Sequence, residues 1–101
     1  MGPHYLTKLF KPSSIAVFGA SERPESVGGN AFTNLLKAGF KGPIYPINPK
    51  HETVQNQACY PSIDALPTVP DLVVIATPAK SIPAIIQACG EAGVGNAVIL
   101  S

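Results

Sequence analysis

Four short apolar runs constrain the fold of this chain most. They are residues 14–18, 44–47, 72–76 and 97–100, and each contains Val or Ile. Runs of this length and composition are typical of strands that are buried on both faces. Helical patterns lie between the first and second runs and between the third and fourth. Because strands that alternate with helices form parallel sheets with right-handed crossovers, the sequence predicts an α/β fold with a doubly wound parallel sheet and helices on both faces.

The two helical patterns have recognisable ends. The first has apolar residues at helical spacing, namely Val27, Ala31, Phe32, Leu35 and Leu36. Gly39 follows it as a C-terminal cap. The second pattern predicts a helix over Ile82–Ala92, with Ser81 as its N-cap and Gly93 after it in the left-handed conformation.

The remaining segments have weaker patterns. Residues 6–10 predict a turn of helix that Pro12 ends. Pro46 lies inside the second apolar run and indicates irregular pairing or a strand end. Residues 50–70 show little periodicity, so we expect a short helix or turn over residues 53–57 and connecting loop after it.

Composition excludes several classes of protein. The chain has 101 residues, 46% of them hydrophobic and 13% charged, which indicates one compact soluble domain. A net charge of +1 without a run of Lys or Arg argues against nucleic acid as a partner. No apolar run is long enough for a membrane span and the N-terminus lacks a secretory pattern, so we expect a cytoplasmic protein. Cys59 and Cys89 are too few for a disulfide scaffold and predict reduced, structural thiols.

The residues that follow the strands are the candidates for a binding site, because ligands of doubly wound sheets bind beyond the carboxyl ends of the strands. The first strand is followed by Gly19, Ser21 and Arg23, and then by Gly28 and Gly29 at the start of a helix. A glycine turn, a hydroxyl, a guanidinium and free N–H groups at a helix N-terminus together favour a phosphate site. The alternative is a loop that only turns the chain.

The second and third strands end in residues of a different kind. Asn48, Pro49 and Lys50 follow the second strand, and Thr77 and Pro78 follow the third. Lys50 suits an extra ribose phosphate, which NADP and coenzyme A both carry. A rigid Thr-Pro corner suits contact with an adenine or a pantetheine chain. Taken singly, Lys50 could equally be a solvated lysine and Pro78 a residue that only ends a strand.

Ordinary NAD binding, metal binding and catalysis are disfavoured. Ser21 stands where the G-x-G-x-x-G motif has its second glycine, and Asn48 stands where NAD enzymes have an acid for the ribose. His4 and His51 lack partners at metal-ligand spacing, and neither is paired with a nucleophile. We therefore predict no metal site and no catalytic residue. Lys80, which follows the third strand, could contact either a phosphate or solvent.

Several strand-end motifs resemble one known family. They are residues 15–21 (IAVFGAS), the step from Val27 to Gly28, residues 39–49 (GFKGPIYPINP), 60–63 (YPSI) and 70–78 (PDLVVIATP). Together they resemble the N-terminal CoA-binding domain of NDP-forming acyl-CoA synthetases, from about Lys8 onward. Protein lysine acetyltransferases that carry a synthetase-like region are equally similar.

The resemblance implies a Rossmann-like domain over residues 1–101 that holds coenzyme A, is truncated after its fifth strand and forms the N-terminal fragment of a larger protein. ATP or ADP would bind outside this chain. The residues implied to bind CoA are Gly19, Ser21, Arg23 and Gly28 at the diphosphate, Asn48, Pro49 and Lys50 at the adenosine and its 3′-phosphate, and Thr77 and Pro78 on the pantetheine or adenine side. The parent protein would be an acetate–CoA ligase (ADP-forming) or a lysine acetyltransferase, and the isolated chain would not be catalytic.

One segment departs from the family pattern, and two other functions stay open. Residues 55–58 (QNQA) stand where relatives have a glycine, although Asn can adopt the left-handed turn that a glycine provides. The first alternative function is a small free-standing CoA-binding protein without catalysis. The second is an NADP-dependent oxidoreductase that uses Lys50 for the 2′-phosphate.

Overall fold

The sheet is parallel and has helices on both faces, as the sequence predicts. The computed structural model describes residues 12–23 and 25–100, so the helical turn predicted over residues 6–10 lies outside the described part. In chain order the elements are β1 (Ile15–Phe18), α1 (Val27–Lys37), β2 (Ile44–Ile47), β3 (Thr53–Val54), β4 (Gln57–Ala58), β5 (Leu72–Ile75), α2 (Ile82–Ala92) and β6 (Asn96–Ile99), with 3₁₀ helices at Ile63–Ala65 and Ala79–Ser81. The main sheet has the order β2-β1-β5-β6. Its four strands are the four predicted from the apolar runs; the fifth strand implied by the family resemblance is not present in the sheet among the described residues, and β3 and β4 form a separate hairpin.

The core lies on the two faces of the central strands β1 and β5. Successive side chains of a strand point to opposite faces, so β1 contributes to both halves of the core. Val17 packs in one apolar cluster with Phe32 of α1, and Phe18 packs in the other with Cys89 of α2. The helices therefore cover opposite faces of the sheet.

Strand β2 accommodates a proline because it lies at the edge of the sheet. Pro46 pairs regularly with Val17, so the predicted irregular pairing is not present, whereas the alternative of a strand end is confirmed, because β2 ends one residue later at Ile47. The carbonyl of Pro46 accepts the Tyr60 N–H at 3.0 Å, on the side away from β1. Because the N–H and C=O of one residue point to the same side of a strand, the missing N–H of Pro46 removes no bond to β1.

A hairpin replaces the helix considered for residues 53–57. β3 and β4 pair in antiparallel fashion, and the turn between them consists of Gln55 and Asn56, at φ of 50° and 66°. Positive φ at both central residues is the signature of a type I′ turn. The expectation of a turn is confirmed, as is the left-handed conformation of Asn56. The helical alternative is wrong because two adjacent left-handed residues reverse the chain.

Helix α1 presents one narrow apolar stripe to the sheet. Phe32 is fully buried, whereas Val27 and Leu36 are 49% and 37% exposed. The helix ends at Lys37, and Gly39 follows with φ of 78°, as expected for a glycine after a helix. The start of the helix therefore leaves Val27 available to the site described below.

Helix α2 has the predicted bounds, Ile82–Ala92, and Gly93 follows it in the left-handed conformation with φ of 91°. The predicted capping role of Ser81 is wrong, because its side chain makes no capping hydrogen bond. The 3₁₀ helix Ala79–Ser81 runs directly into α2 and gives Ser81 helical backbone angles, whereas a capping residue is extended. No helix in the described part of the chain is long and apolar enough to span a membrane.

Candidate functional site

The carboxyl ends of β1, β2 and β5 lie side by side and carry two adjoining clefts. The chain passes from β1 to β2 on one side and later returns to the other side of β1 as β5, so the strand order reverses here. Ligands of doubly wound folds bind at such a reversal. The small cleft has a volume of about 430 Å³ and the large cleft about 670 Å³. Gly19, Ala76 and Thr77 line both clefts.

The structure brings every binding residue predicted from the sequence to one of these clefts. The residues at the small cleft are Gly19, Ser21, Arg23, Gly28 and Thr77. The residues at the large cleft are Gly19, Asn48, Pro49, Lys50, Thr77 and Pro78. Lys80, which the sequence left open, is exposed and lines neither cleft.

Two glycines allow the start of α1 to pack against the described residues of the β1–α1 loop, 19–23 and 25–26. A Cβ at Gly28 would lie 2.0 Å from the Gly19 carbonyl oxygen, and a Cβ at Gly29 would lie 2.0 Å from the Arg23 carbonyl oxygen. No side chain fits at these distances, so both positions need glycine for backbone packing. The sequence favours the approach of a phosphate at this pair, but protein backbone already occupies the space beside both glycines.

Ser26 organises the same loop, although the sequence analysis did not single it out. Its Oγ accepts the Gly29 N–H at 3.0 Å and donates to the Arg23 carbonyl at 2.8 Å. Because its only hydrogen goes to that carbonyl, the 2.8 Å contact between Ser21 and Ser26 uses the hydrogen of Ser21. The Ser21 hydroxyl and the Gly29 N–H are thus bonded within the loop, and neither is the free donor that the sequence suggested. A serine directly before a helix was the available signal for Ser26.

Positive charge reaches the small cleft from two sources. The first turn of α1 contains no acidic residue, so the helix N-terminus keeps its partial positive charge. Arg23 lines the cleft, and its Nε donates to Glu25 at 3.0 Å. A backbone hydrogen bond and, second, Arg23 hold the pKa of Glu25 below its usual value. Glu25 therefore stays ionised and competes with any anionic ligand for Arg23.

Asn48 joins the ends of β1 and β2. Its Nδ2 donates to the Ala20 carbonyl at 3.0 Å, and its Oδ1 accepts the Lys50 N–H at 3.0 Å. An aspartate could not donate to the Ala20 carbonyl, which gives a structural reason for the amide at this position. The Lys50 side chain is exposed at the large cleft, and no carboxylate of the described residues forms an ion pair with it.

The large cleft has an apolar wall that the sequence analysis missed. Ile63 contributes to it from the first 3₁₀ helix, and Ile85 and Ala88 contribute from α2. The helical periodicity had indicated only that Ile85 packs against the core. Beside the polar end of β2, such a wall suits a planar group with apolar faces and polar edges.

Thr77 carries an unpaired polar atom where the two clefts meet. Its Oγ1 is buried and has no hydrogen-bond partner. Within residues 12–23 and 25–100, every other buried side-chain oxygen or nitrogen has one. An unpaired buried hydroxyl costs about 1–3 kcal/mol. The hydroxyl is shielded from solvent, so a polar ligand group in the clefts would relieve that cost once the side chain rotates to expose it.

Neither cysteine has the environment of a reactive thiol. Both are free, and burial raises the pKa of each thiol. Cys59 also donates to the Asn48 carbonyl at 3.5 Å. Among the described residues, no group of three or more His, Cys, Asp or Glu side chains is arranged to hold a metal ion.

Comparison with known proteins identifies the family. Residues 13–101 match the family described as CoA binding domain. The chain is 43% identical over 96 residues to acetate–CoA ligase [ADP-forming] II of Archaeoglobus fulgidus, which covers 95% of this chain and 14% of that ligase. It is 34% identical over 93 residues to 4-hydroxybutyrate–CoA ligase [ADP-forming] of Nitrosopumilus maritimus, with 92% and 13% covered. The chain therefore spans about a seventh of the length of these curated relatives.

A solved structure agrees with the sequence comparison. The dinucleotide-forming acetyl-coenzyme A synthetase 1 of Candidatus Korarchaeum cryptofilum, in complex with phosphate and ADP, superposes with a TM-score of 0.91 at 43% identity. The match covers 95% of this chain and 21% of the synthetase chain. These similarities support the CoA-binding interpretation over the oxidoreductase and free-standing alternatives. The chain belongs to the CoA-binding domain family and corresponds to the CoA-binding part of ADP-forming acetyl-CoA synthetases.

Proposed function

We propose that this chain binds coenzyme A across both clefts, as the CoA-binding domain, residues 1–101, of a larger ADP-forming acyl-CoA ligase. The observation that carries the proposal is the continuity of the two clefts, which share Gly19, Ala76 and Thr77 at the reversal of strand order. An elongated ligand with a central diphosphate needs such a paired site. The small share of each relative that the chain covers supports a larger parent protein.

The small cleft suits the diphosphate. Gly19 and Gly28 bring the loop and the start of α1 close together, and the helix contributes its positive end. Arg23 supplies a charge that can leave Glu25 for a phosphate, because both side chains are largely exposed, at 76% and 64%. Ser21 would contact the diphosphate by exchanging its bond to Ser26.

The large cleft suits the adenosine and its 3′-phosphate. Asn48, Pro49 and Lys50 lie at its polar end, and Lys50 offers a charge that no described carboxylate neutralises. The adenine would lie against the apolar wall and Pro78. Thr77, which lines both clefts, would rotate its buried, unpaired hydroxyl toward the ligand on the pantetheine or adenine side.

In the parent protein, this domain would bind coenzyme A, which accepts the acyl group. Coenzyme A supplies the thiol to which the acyl group is joined, and ATP or ADP would bind on other parts of the parent protein. Two relatives carry names with different acyl groups, acetate and 4-hydroxybutyrate, at 43% and 34% identity over this same segment. We infer that acyl selectivity resides outside this domain. The cytoplasmic location expected from the sequence stays a prediction.

Isothermal titration of the full chain with CoA, 3′-dephospho-CoA and NADPH tests the proposal. We expect the tightest binding for CoA and weaker binding for 3′-dephospho-CoA, because only CoA offers a 3′-phosphate to Lys50. Preferential binding of NADPH would contradict the proposal in favour of an oxidoreductase. No binding of CoA by a folded chain, verified by circular dichroism, would also contradict it.

A further inference from the structure

Gln55, in the turn between β3 and β4, is bonded to the loop beside the small cleft. Its Nε2 donates to the Ser21 carbonyl at 3.1 Å and to the Gly29 carbonyl at 3.4 Å. Its Oε1 accepts the Thr33 hydroxyl at 3.0 Å, which orients the amide. Its backbone N–H donates to the Glu22 carboxylate at 3.0 Å. One residue of the hairpin therefore contacts the β1–α1 loop and two positions on α1.

The backbone of Gln55 is unusual for its residue type. Its φ is 50°, a left-handed value that Asn and Gly adopt far more readily than Gln. The neighbouring Val54 is fully buried in the same apolar cluster as Phe32 of α1, which fixes the hairpin on that face. Turn conformation alone would favour Asn or Gly at position 55, so the longer side chain has another use.

The carbonyl groups at the end of β1 are held by two side-chain amides. Asn48 binds the Ala20 carbonyl from β2, and Gln55 binds the Ser21 carbonyl from the hairpin. A carbonyl that turned toward the small cleft would repel an anion there. Fixing two successive carbonyls against amide donors keeps their oxygens bonded to the protein.

We propose that Gln55 is a positioning residue of the anion site, which fixes the loop at Ser21 so that the small cleft can accept a diphosphate. The proposal rests on the function proposed above and adds to it a residue that lines neither cleft. It predicts that changes at Gln55 affect only ligands that carry the diphosphate.

The variant Gln55→Asn separates the side-chain contact from the turn. Asn favours positive φ and keeps the hairpin, but its side chain is one methylene shorter and does not reach the Ser21 carbonyl. We expect the variant to remain folded, because the easier turn offsets part of the lost side-chain hydrogen bonds, and we expect CoA and 3′-dephospho-CoA each to bind about fivefold to tenfold more weakly, the size of effect expected for a lost hydrogen bond. Adenosine 3′-monophosphate, which lacks the diphosphate, should bind within about twofold of the original affinity, followed by NMR titration.

Thr33 provides a second, independent test. Thr33→Val removes the hydroxyl that orients the Gln55 amide and should weaken CoA binding less than Gln55→Asn does. Thr33→Ser keeps the hydroxyl and should bind CoA as the original chain does. Unchanged CoA affinity in folded Gln55→Asn, or equal losses for all three ligands, would overturn the positioning role. A lack of CoA binding by the unmodified chain would instead overturn the proposed function itself.

Discussion

The backbones of Gly19 and Gly28 touch where β1 gives way to α1, since a Cβ at Gly28 would lie only 2.0 Å from the Gly19 carbonyl oxygen. The atom in the way is backbone and not the end of a flexible side chain, so it cannot move aside cheaply. This contact sets the distance between the helix N-terminus and the ends of β1 and β5. Gly28 therefore serves packing and binding at once, because the close packing of its backbone also gives the small cleft its shape.

Gly28→Ala should damage both stability and binding. We expect a loss of about 1–3 kcal/mol in the free energy of unfolding, since the helix must shift away from the loop. CoA affinity should fall with it. Chemical denaturation and titration with CoA measure the two effects.

Gly90→Ala is the matched control for that experiment. Gly90 lies in α2, and a Cβ there would meet no atom within 4 Å. This variant should gain about 0.5–1 kcal/mol, because alanine loses less backbone entropy in a helix. Equal effects of the two substitutions would contradict the proposed backbone contact.

Lys50→Ala should separate two ligands that differ by one phosphate. We expect CoA to bind about tenfold more weakly, as for loss of a charge-assisted hydrogen bond, and 3′-dephospho-CoA to bind almost unchanged. Lys80→Ala is the control, because Lys80 is also exposed but lies outside both clefts. Equal losses for both ligands in Lys50→Ala would remove the 3′-phosphate role.

Glu25→Gln should strengthen CoA binding about twofold to threefold at low salt, because it frees Arg23, and the gain should fade as salt screens these exposed charges. The lowered pKa of Glu25 sets the sign of the pH effect: the carboxylate competes at neutral pH and stops competing only when acid protonates it, below the usual range for Glu. Glu91→Gln, on α2, is the control. Weaker binding in Glu25→Gln would show that Glu25 instead orients Arg23 for the ligand.

The fold could be predicted because its signals are local. Each parallel strand is a short apolar run, and α2 was bounded correctly by periodicity and by Gly93. The strand ends were also found, since the order of elements in a doubly wound sheet places them at one edge. Asn48 and Thr77 could be predicted as site residues only because they follow strands.

What could not be predicted depends on contacts between distant segments. Gln55 meets Ser21 across 34 positions of sequence, and a glutamine at positive φ carries no propensity signal for a turn. Ser81 has a sequence suited to a cap but a 3₁₀ helix before it. Ile63 and Ile85 read as core residues, and only their packing shows that they also wall a cleft.

Thr77→Val should make the ligand-free chain more stable and its binding weaker. Valine has nearly the same shape and removes a buried hydroxyl that has no partner, so we expect a gain of about 1 kcal/mol and a melting temperature higher by about 4–8 °C. CoA affinity should fall, because the ligand loses the Thr77 hydroxyl as a hydrogen-bond partner. Thr77→Ser, which keeps the hydroxyl, should bind CoA nearly as well as the original chain. Calorimetry of the three proteins with and without CoA gives both quantities. A less stable Thr77→Val would mean that water already satisfies the hydroxyl, and undiminished CoA affinity would place Thr77 outside the binding contacts.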